Sequence, residues 1–214
     1  MPPDTGRIAW HVITAELHTG MLTLAFGSAM IRLVGGRITA ENAVWRGLVR
    51  LAEPTAYLAA IGGLLALTAS IMSGLATTWP LEVLLTSSVV LNKIAITTFS
   101  TTFWALFVAV RSIYGPRLWA RARLRGAYAA LAAGGFVSLM LAGSTGGHLA
   151  GKRSMLDVVL HLLGVNTHLL FTIPGPVAYA VMSSVVLLVT LALIRRVLGN
   201  KKPARAAAAA RPQM

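Results

Sequence analysis

The chain has 214 residues, of which 56% are hydrophobic and only 12% charged, with a formal net charge of +13. Its mean hydropathy is +0.73, and a soluble domain carries about 25% charged residues, so an ordinary water-soluble core is excluded and an integral membrane protein expected. Cysteine is absent, which excludes disulfides, iron–sulfur clusters, thiolate metal sites and c-type haem attachment.

The start, Met1 to Arg7, has neither a basic n-region nor an evident cleavage motif, so no removable signal peptide is expected. A membrane span needs roughly 20 mostly apolar residues. The first such block is 8–34, closed by Arg32, Gly35 and Gly36. A connection with Arg37, Arg46 and Arg50 follows, in which Leu48, Leu51 and the intervening charges predict a short surface helix. The second span, 55–76, starts after Pro54 and ends before Trp79-Pro80, where Trp79 suits an interfacial anchor. The third is 83–110. A stretch with Arg111, Arg117, Arg121, Arg123 and Arg125 and no acid leads to the fourth, 126–146. Residues 154–170 carry Leu156, Val159, Leu160 and Leu163 at i, i+3, i+4, i+7 spacing after a capping-box-like Ser154 and Asp157. They predict an amphipathic helix lying at the interface. Pro174-Gly175-Pro176 then opens a fifth span, 175–194.

The expected fold is therefore all-α: a polytopic membrane helix bundle of five transmembrane helices plus an interfacial helix near 154–170. Residues 1–199 form one bundle, and 200–214 form a basic cytoplasmic tail with no apolar face to bury. Fifteen of the nineteen Lys and Arg residues fall in 32–53, 111–125 and the tail from 195. They sit in the gaps between apolar blocks, which is a membrane pattern rather than a nucleic-acid-binding one. The bias puts the N-terminus outside and the C-terminus in the cytoplasm of a multi-pass cell-membrane protein.

Only five histidines occur: His11, His18, His148, His161 and His168. Counting back from Arg32 at 1.5 Å per residue puts His11 at the outer interface and His18 roughly 10 Å deeper. The two share a helix face, being two turns apart. Glu16 lies about 140° or more from both around the helix, at a height that suits an ion pair with Lys93. His148 follows the outer end of the fourth span, and His161 and His168 lie in the outer connection, so all five gather toward one side of the membrane.

Several imidazoles at the edge of a helical bundle are the donor set for b-type haem, whose iron takes histidine from facing helices. The flat apolar porphyrin needs small neighbours, for which Gly62-Gly63, Gly74, Gly134-Gly135 and Gly143 are candidates; the alternative role of such residues is close helix packing. Propionates need cations near the interface, for which Lys93, Lys152 and Arg153 stand at the right height. The expected cofactor-binding set is His11, His18, His148, His161, His168, Lys93 and Arg153. His18, His148 and His168 are the iron or metal ligands, with His18 and a histidine from 148–168 as the favoured pair and His11 with His148 or His168 as a second pair if two haems bind.

The run Gly143-Ser144-Thr145-Gly146-Gly147-His148-Leu149, together with His11 and His18, resembles a family of small prokaryotic membrane proteins proposed to bind b-type haem. That family has four core helices, a His-containing start to its first helix and a Thr-Gly-x-x-Gly-Gly-x-Leu pattern closing its fourth. The resemblance covers residues 8–152 and implies a four-helix core and a haem b. This chain differs in having Val12 where the family has proline after its first histidine, Ala150-Gly151 in place of Val-Tyr, and Asn92-Lys93 with no histidine in its third span.

The function these readings favour is a membrane b-type haem electron-transfer protein or respiratory-complex subunit. It would hold one or two haems near the outer face and work with other membrane redox subunits or quinone in the lipid bilayer. No substrate-transforming constellation is evident, so an electron-transfer subunit is expected rather than a stand-alone enzyme. A His-lined metal transporter or proton-coupled transporter is the alternative, supported by a faint parallel repeat between the segments beginning at Leu58 and Leu131. A third reading is a cofactor-free accessory subunit of a membrane complex, with its histidines scattered over different helix faces.

Overall fold

A computed structural model of the chain describes residues 5–36, 42–77, 80–151, 155–164 and 174–199. Helices account for nearly all of them: α1 (Thr5–Gly35), α2 (Ala43–Thr77), α3 (Leu81–Thr86), α4 (Ser88–Tyr114), α5 (Arg117–Ala120), α6 (Ala122–Leu149), α7 (Met155–Leu162) and α8 (Gly175–Gly199). This is what apolar sequence demands. In hydrocarbon every backbone N–H and C=O must be satisfied within the chain, and a helix does so locally. Side-chain hydroxyls follow the same rule. Thr19 donates to the Ala15 carbonyl at 2.9 Å, and Thr98 to the Ile94 carbonyl and Thr145 to the Leu141 carbonyl at 2.8 Å.

Among the described residues, four helices are long and apolar enough to cross a membrane: Ala9–Gly35, Ala43–Ala76, Ser88–Tyr114 and Ala122–Leu149. They form a closed ring in which α1 packs on α2 and α6, and α4 packs on α2 and α6. The expected fifth span forms helix α8, which lies outside this ring against α4. Ala178 is buried there beside Leu91 and Ala95, and the Tyr179 hydroxyl donates to the Leu85 carbonyl at 2.9 Å. The described apolar part of α8, Gly175–Val185, is shorter than a span. Of the interfacial segment, residues 155–162 are helical and 163–164 form a turn; 165–170 lie outside the described residues.

Two boundaries differ from expectation. The surface helix near Leu48 and the second span are one 35-residue helix that runs through Pro54. Proline removes a single i→i−4 hydrogen bond, and tertiary contacts hold the helix on both sides of it. Before Pro54, Val49 and Trp45 pack on Gly35 of α1, and Glu53 pairs with Arg111 of α4. After Pro54, Ala56, Ala59 and Ala60 are buried in the core. The third span also begins differently. It starts at Ser88, after a break at Ser87, whose hydroxyl accepts the Val90 N–H at 3.5 Å.

The core sits in the middle of the ring and toward its arginine-bearing end. Leu22, Ala25 and Ala29 of α1 meet Ala56, Ala59, Ala60 and Leu67 of α2. Phe26 stacks on Phe136 with ring centroids 4.3 Å apart. Farther along, Phe107 stacks on Tyr128 at 3.9 Å, with Trp104 and Trp119 edge-on to this pair. Leucines point the other way: Leu58 is 65% and Leu65 69% exposed. Small residues inside with large apolar residues outside is the arrangement that suits lipid contact.

The up-and-down order of the ring sorts the charges. The end of α1, the start of α2, the end of α4 and the start of α6 share one end, which holds Arg32, Arg46, Arg50, Arg111 and Arg121. The start of α1, the end of α2, the start of α4 and the end of α6 share the other, which holds His11, His18, Lys93 and His148.

Candidate functional site

The aromatic core stops short of the histidine end. There the four ring helices enclose a cavity of about 360 Å³. This is at the small end of the range for small-molecule and cofactor sites, roughly 300–1,000 Å³. One face of α1 supplies His11, Ala15, His18 and Thr19 to the cavity wall, the i, i+4, i+7, i+8 spacing of a single helix side. From α2 come Ser70 and Gly74, from α4 Lys93, Thr97 and Thr98, and from α6 Gly143 and Gly146.

Both imidazoles are held by the same device. His18 Nδ1 lies 3.0 Å from the Thr14 carbonyl oxygen. A carbonyl can only accept, so Nδ1 carries the proton and Nε2 of the neutral ring keeps its lone pair. His11 Nδ1 lies 3.1 Å from both the Ser70 carbonyl oxygen and Ser73 Oγ. Ser73 Oγ spends its own proton on the Ser70 carbonyl at 3.0 Å, so His11 Nδ1–H donates to both acceptors and Nε2 is again the basic atom. Anchoring Nδ1–H on a carbonyl fixes the tautomer and ring orientation of a ligating histidine. Thr14 is itself buried, and its hydroxyl donates to the Trp10 and His11 carbonyls at 3.0 Å.

Glycine provides the room. A Cβ on Gly74 would stand 2.9 Å from His11 Cε1, so the missing side chain lets the ring pack closely against α2. A Cβ on Gly146 would stand 2.9 Å from Lys93 Nζ, which puts the ammonium against the end of α6. Gly143 has open space where its Cβ would be. The other candidate glycines serve a different purpose. Gly62 and Gly63 admit Met21 and Leu22 of α1, and Gly134 and Gly135 admit Phe103 and Trp104 of α4. Those four pack helices, and among the described glycines only Gly74, Gly143 and Gly146 line the cavity.

The expected site residues therefore separate into groups. His11, His18 and Lys93 share the cavity. His148 turns away from it: its Nε2 lies 2.7 Å from Asp157 Oδ2, while Ser144 Oγ donates to Asp157 Oδ1 at 3.1 Å. This clasp ties α7 to the last turn of α6, so His148 is engaged by Asp157 and is not among the residues lining the cavity, and Asp157 bridges two helices. His161 is exposed on α7. His168, Lys152 and Arg153 lie outside the described residues. Glu16 is exposed on the far side of α1, and among the described residues no ion pair joins it to Lys93. The α4 and α6 walls of the cavity hold no histidine, and among the described residues no three His, Cys, Asp or Glu side chains come together.

Reasoning from sequence missed Ser70, Ser73 and Asp157 as partners of the histidines. The first two carried a readable signal in Ser70-x-x-Ser73-Gly74, a small polar run closing an apolar span. Asp157 carried another, being the only acidic residue after Glu82. No protein-family model, curated protein or solved structure matches the chain.

Proposed function

We propose that the chain is a membrane b-type haem protein that carries electrons, with His18 as the ligand on α1 and Lys93 as the cation for a propionate. The observation that carries this reading is the pair of imidazoles on one cavity wall, each with Nδ1–H anchored and Nε2 left as a lone pair. When bound, a haem supplies a one-electron iron couple. The chain's part is to hold and tune it. Thr14 orients the His18 ring through its carbonyl, which also raises the basicity of Nε2. The open wall at Gly143 leaves space for a flat apolar group beside α6. Lys93 sets a positive charge at the mouth of the cavity, where a carboxylate meets it with a charge-assisted hydrogen bond. His168, which lies outside the described residues, would be the second imidazole ligand, and His11 would serve a second haem if two bind.

Extending this reading, α8 is the fifth span, the histidine end faces outward and the arginine end faces the cytoplasm. Redox subunits or quinone at the outer face are then the electron partners. The second reading, a proton-coupled or metal-carrying transporter, is favoured by His11 and His18 lining one cavity about 10 Å apart in depth, with Thr97 and Thr98 facing them.

Potentiometric titration of the purified full-length protein separates the two. Electron transfer predicts an absorbance that cycles reversibly between two states with a one-electron slope. A haem that cannot be cycled, or metal uptake into vesicles without any haem, would favour the transporter.

A further inference from the structure

The opposite end of the bundle holds a second cavity of about 420 Å³. It lies between the end of α1 and the first turns of α2 and is lined by Arg32, Trp45, Arg46, Arg50 and Glu53. Its electrostatics are one-sided. Glu53 is engaged by Arg111 from α4. Among the described residues no carboxylate pairs with Arg32, Arg46 or Arg50. Arg46 and Arg50 are one helical turn apart on the same face of α2, an arrangement in which like charges repel. Arg46 also sits in the opening turns of its helix, where the backbone dipole disfavours a cation. Arg32 is held in place by stacking over the Trp119 ring, 4.9 Å from its centroid. Trp45 lines the same cavity, and among the described residues its buried indole N–H has no hydrogen-bond partner. Among the described residues, then, the three guanidiniums and the indole N–H of this cavity have no anionic acceptor.

We propose that this pocket binds a phosphate-bearing anion, held by Arg32, Arg46, Arg50 and the Trp45 indole. Guanidinium forks match phosphate oxygens two at a time. The surroundings favour the headgroup of an anionic phospholipid as the source. On the same stretch of α2, Val44, Leu48 and Leu51 are 71%, 49% and 60% exposed. They form an apolar stripe that acyl chains would cover while the phosphate reaches the arginines. A basic pocket beside membrane helices is a recognised setting for anionic headgroups. The site is independent of the haem reading and lies at the other end of the molecule.

The test uses delipidated full-length protein in detergent, with bound species counted by native mass spectrometry. Phosphatidylglycerol, phosphatidylcholine and inorganic phosphate are added in separate arms. One phosphatidylglycerol is expected to be retained in preference to phosphatidylcholine. Arg46→Gln with Arg50→Gln should weaken it by about thirtyfold, taking the contribution of two arginines near a headgroup. Trp45→Phe keeps the ring, loses the donor and should weaken binding less. It also provides the decisive variant if the double substitution does not fold. Arg123→Gln, an exposed arginine of α6 at the same end, should change nothing. Retention of inorganic phosphate with the same dependence on Arg46 and Trp45, without retention of phosphatidylglycerol, identifies a free phosphate compound as the ligand. Equal retention of the two lipids with no phosphate binding overturns the proposal. So does anion binding that Arg46→Gln, Arg50→Gln and Trp45→Phe leave unchanged.

Discussion

Replacing His18 by alanine is expected to strip the protein of haem while leaving its fold intact. The side chain makes one hydrogen bond, to the Thr14 carbonyl, and otherwise borders a cavity. Its loss therefore removes about 1 kcal/mol or less of folding stability. The effect on the cofactor is far larger. Disturbing even an outer partner of a metal ligand weakens binding 10–100-fold, so deleting the ligand should lower haem content at least about tenfold on the same scale. His161→Ala provides the contrast, because its ring is exposed on α7 and borders no part of the cavity. Its haem content should match the parent protein. The readout is the Soret absorbance per mole of protein in the three samples, with helical content checked by circular dichroism.

Asp157→Ala is expected to release α7 from α6. The helix has eight residues, too few to persist alone in water, so it depends on what holds it. Val158, Val159, Leu162 and Leu163 are all more than half exposed, and among the described side chains of the helix Asp157 is the one that is buried. The Asp157 carboxylate is the tie, with its two oxygens on His148 and Ser144. Hydrogen bonds to a charged group contribute about 1.5–3 kcal/mol, and the substitution also leaves the buried Ser144 hydroxyl without this acceptor. Hydrogen exchange over residues 155–162 should quicken by about tenfold or more, with the four ring helices unaffected. Asp157→Asn, which keeps an acceptor oxygen, should fall between. Protection in Asp157→Ala equal to the parent would show that lipid-facing contacts, not the clasp, hold α7.

What could be read from the sequence was whatever depends on length and periodicity. Blocks of apolar residues locate α1, α2, α4 and α6 because a span has a minimum length and no polar alternative. The seven-residue spacing of His11 and His18 places both on one face, and the structure puts both in one cavity. The exclusion of Glu16 from that face followed from the same geometry. What could not be read depends on which helix meets which. Gly63 and Gly74 look alike in sequence, yet one admits Leu22 for packing and the other admits the His11 ring. His148 stood at the right height to face His18, but a carboxylate nine residues later in the chain claims it first. Helix α2 running through Pro54 was equally invisible, since local propensity argues for a break and only contacts with Gly35 and Arg111 overrule it.

The central claim is that the cavity at the histidine end is a haem site, and the most direct measurement is the spectrum of the protein itself. The full-length chain, purified in mild detergent from cells supplied with haem precursor, should be red. It should show a Soret band, an α-band that sharpens on reduction, and haem in stoichiometric amount. A colourless protein that also fails to take up added haem would contradict the account.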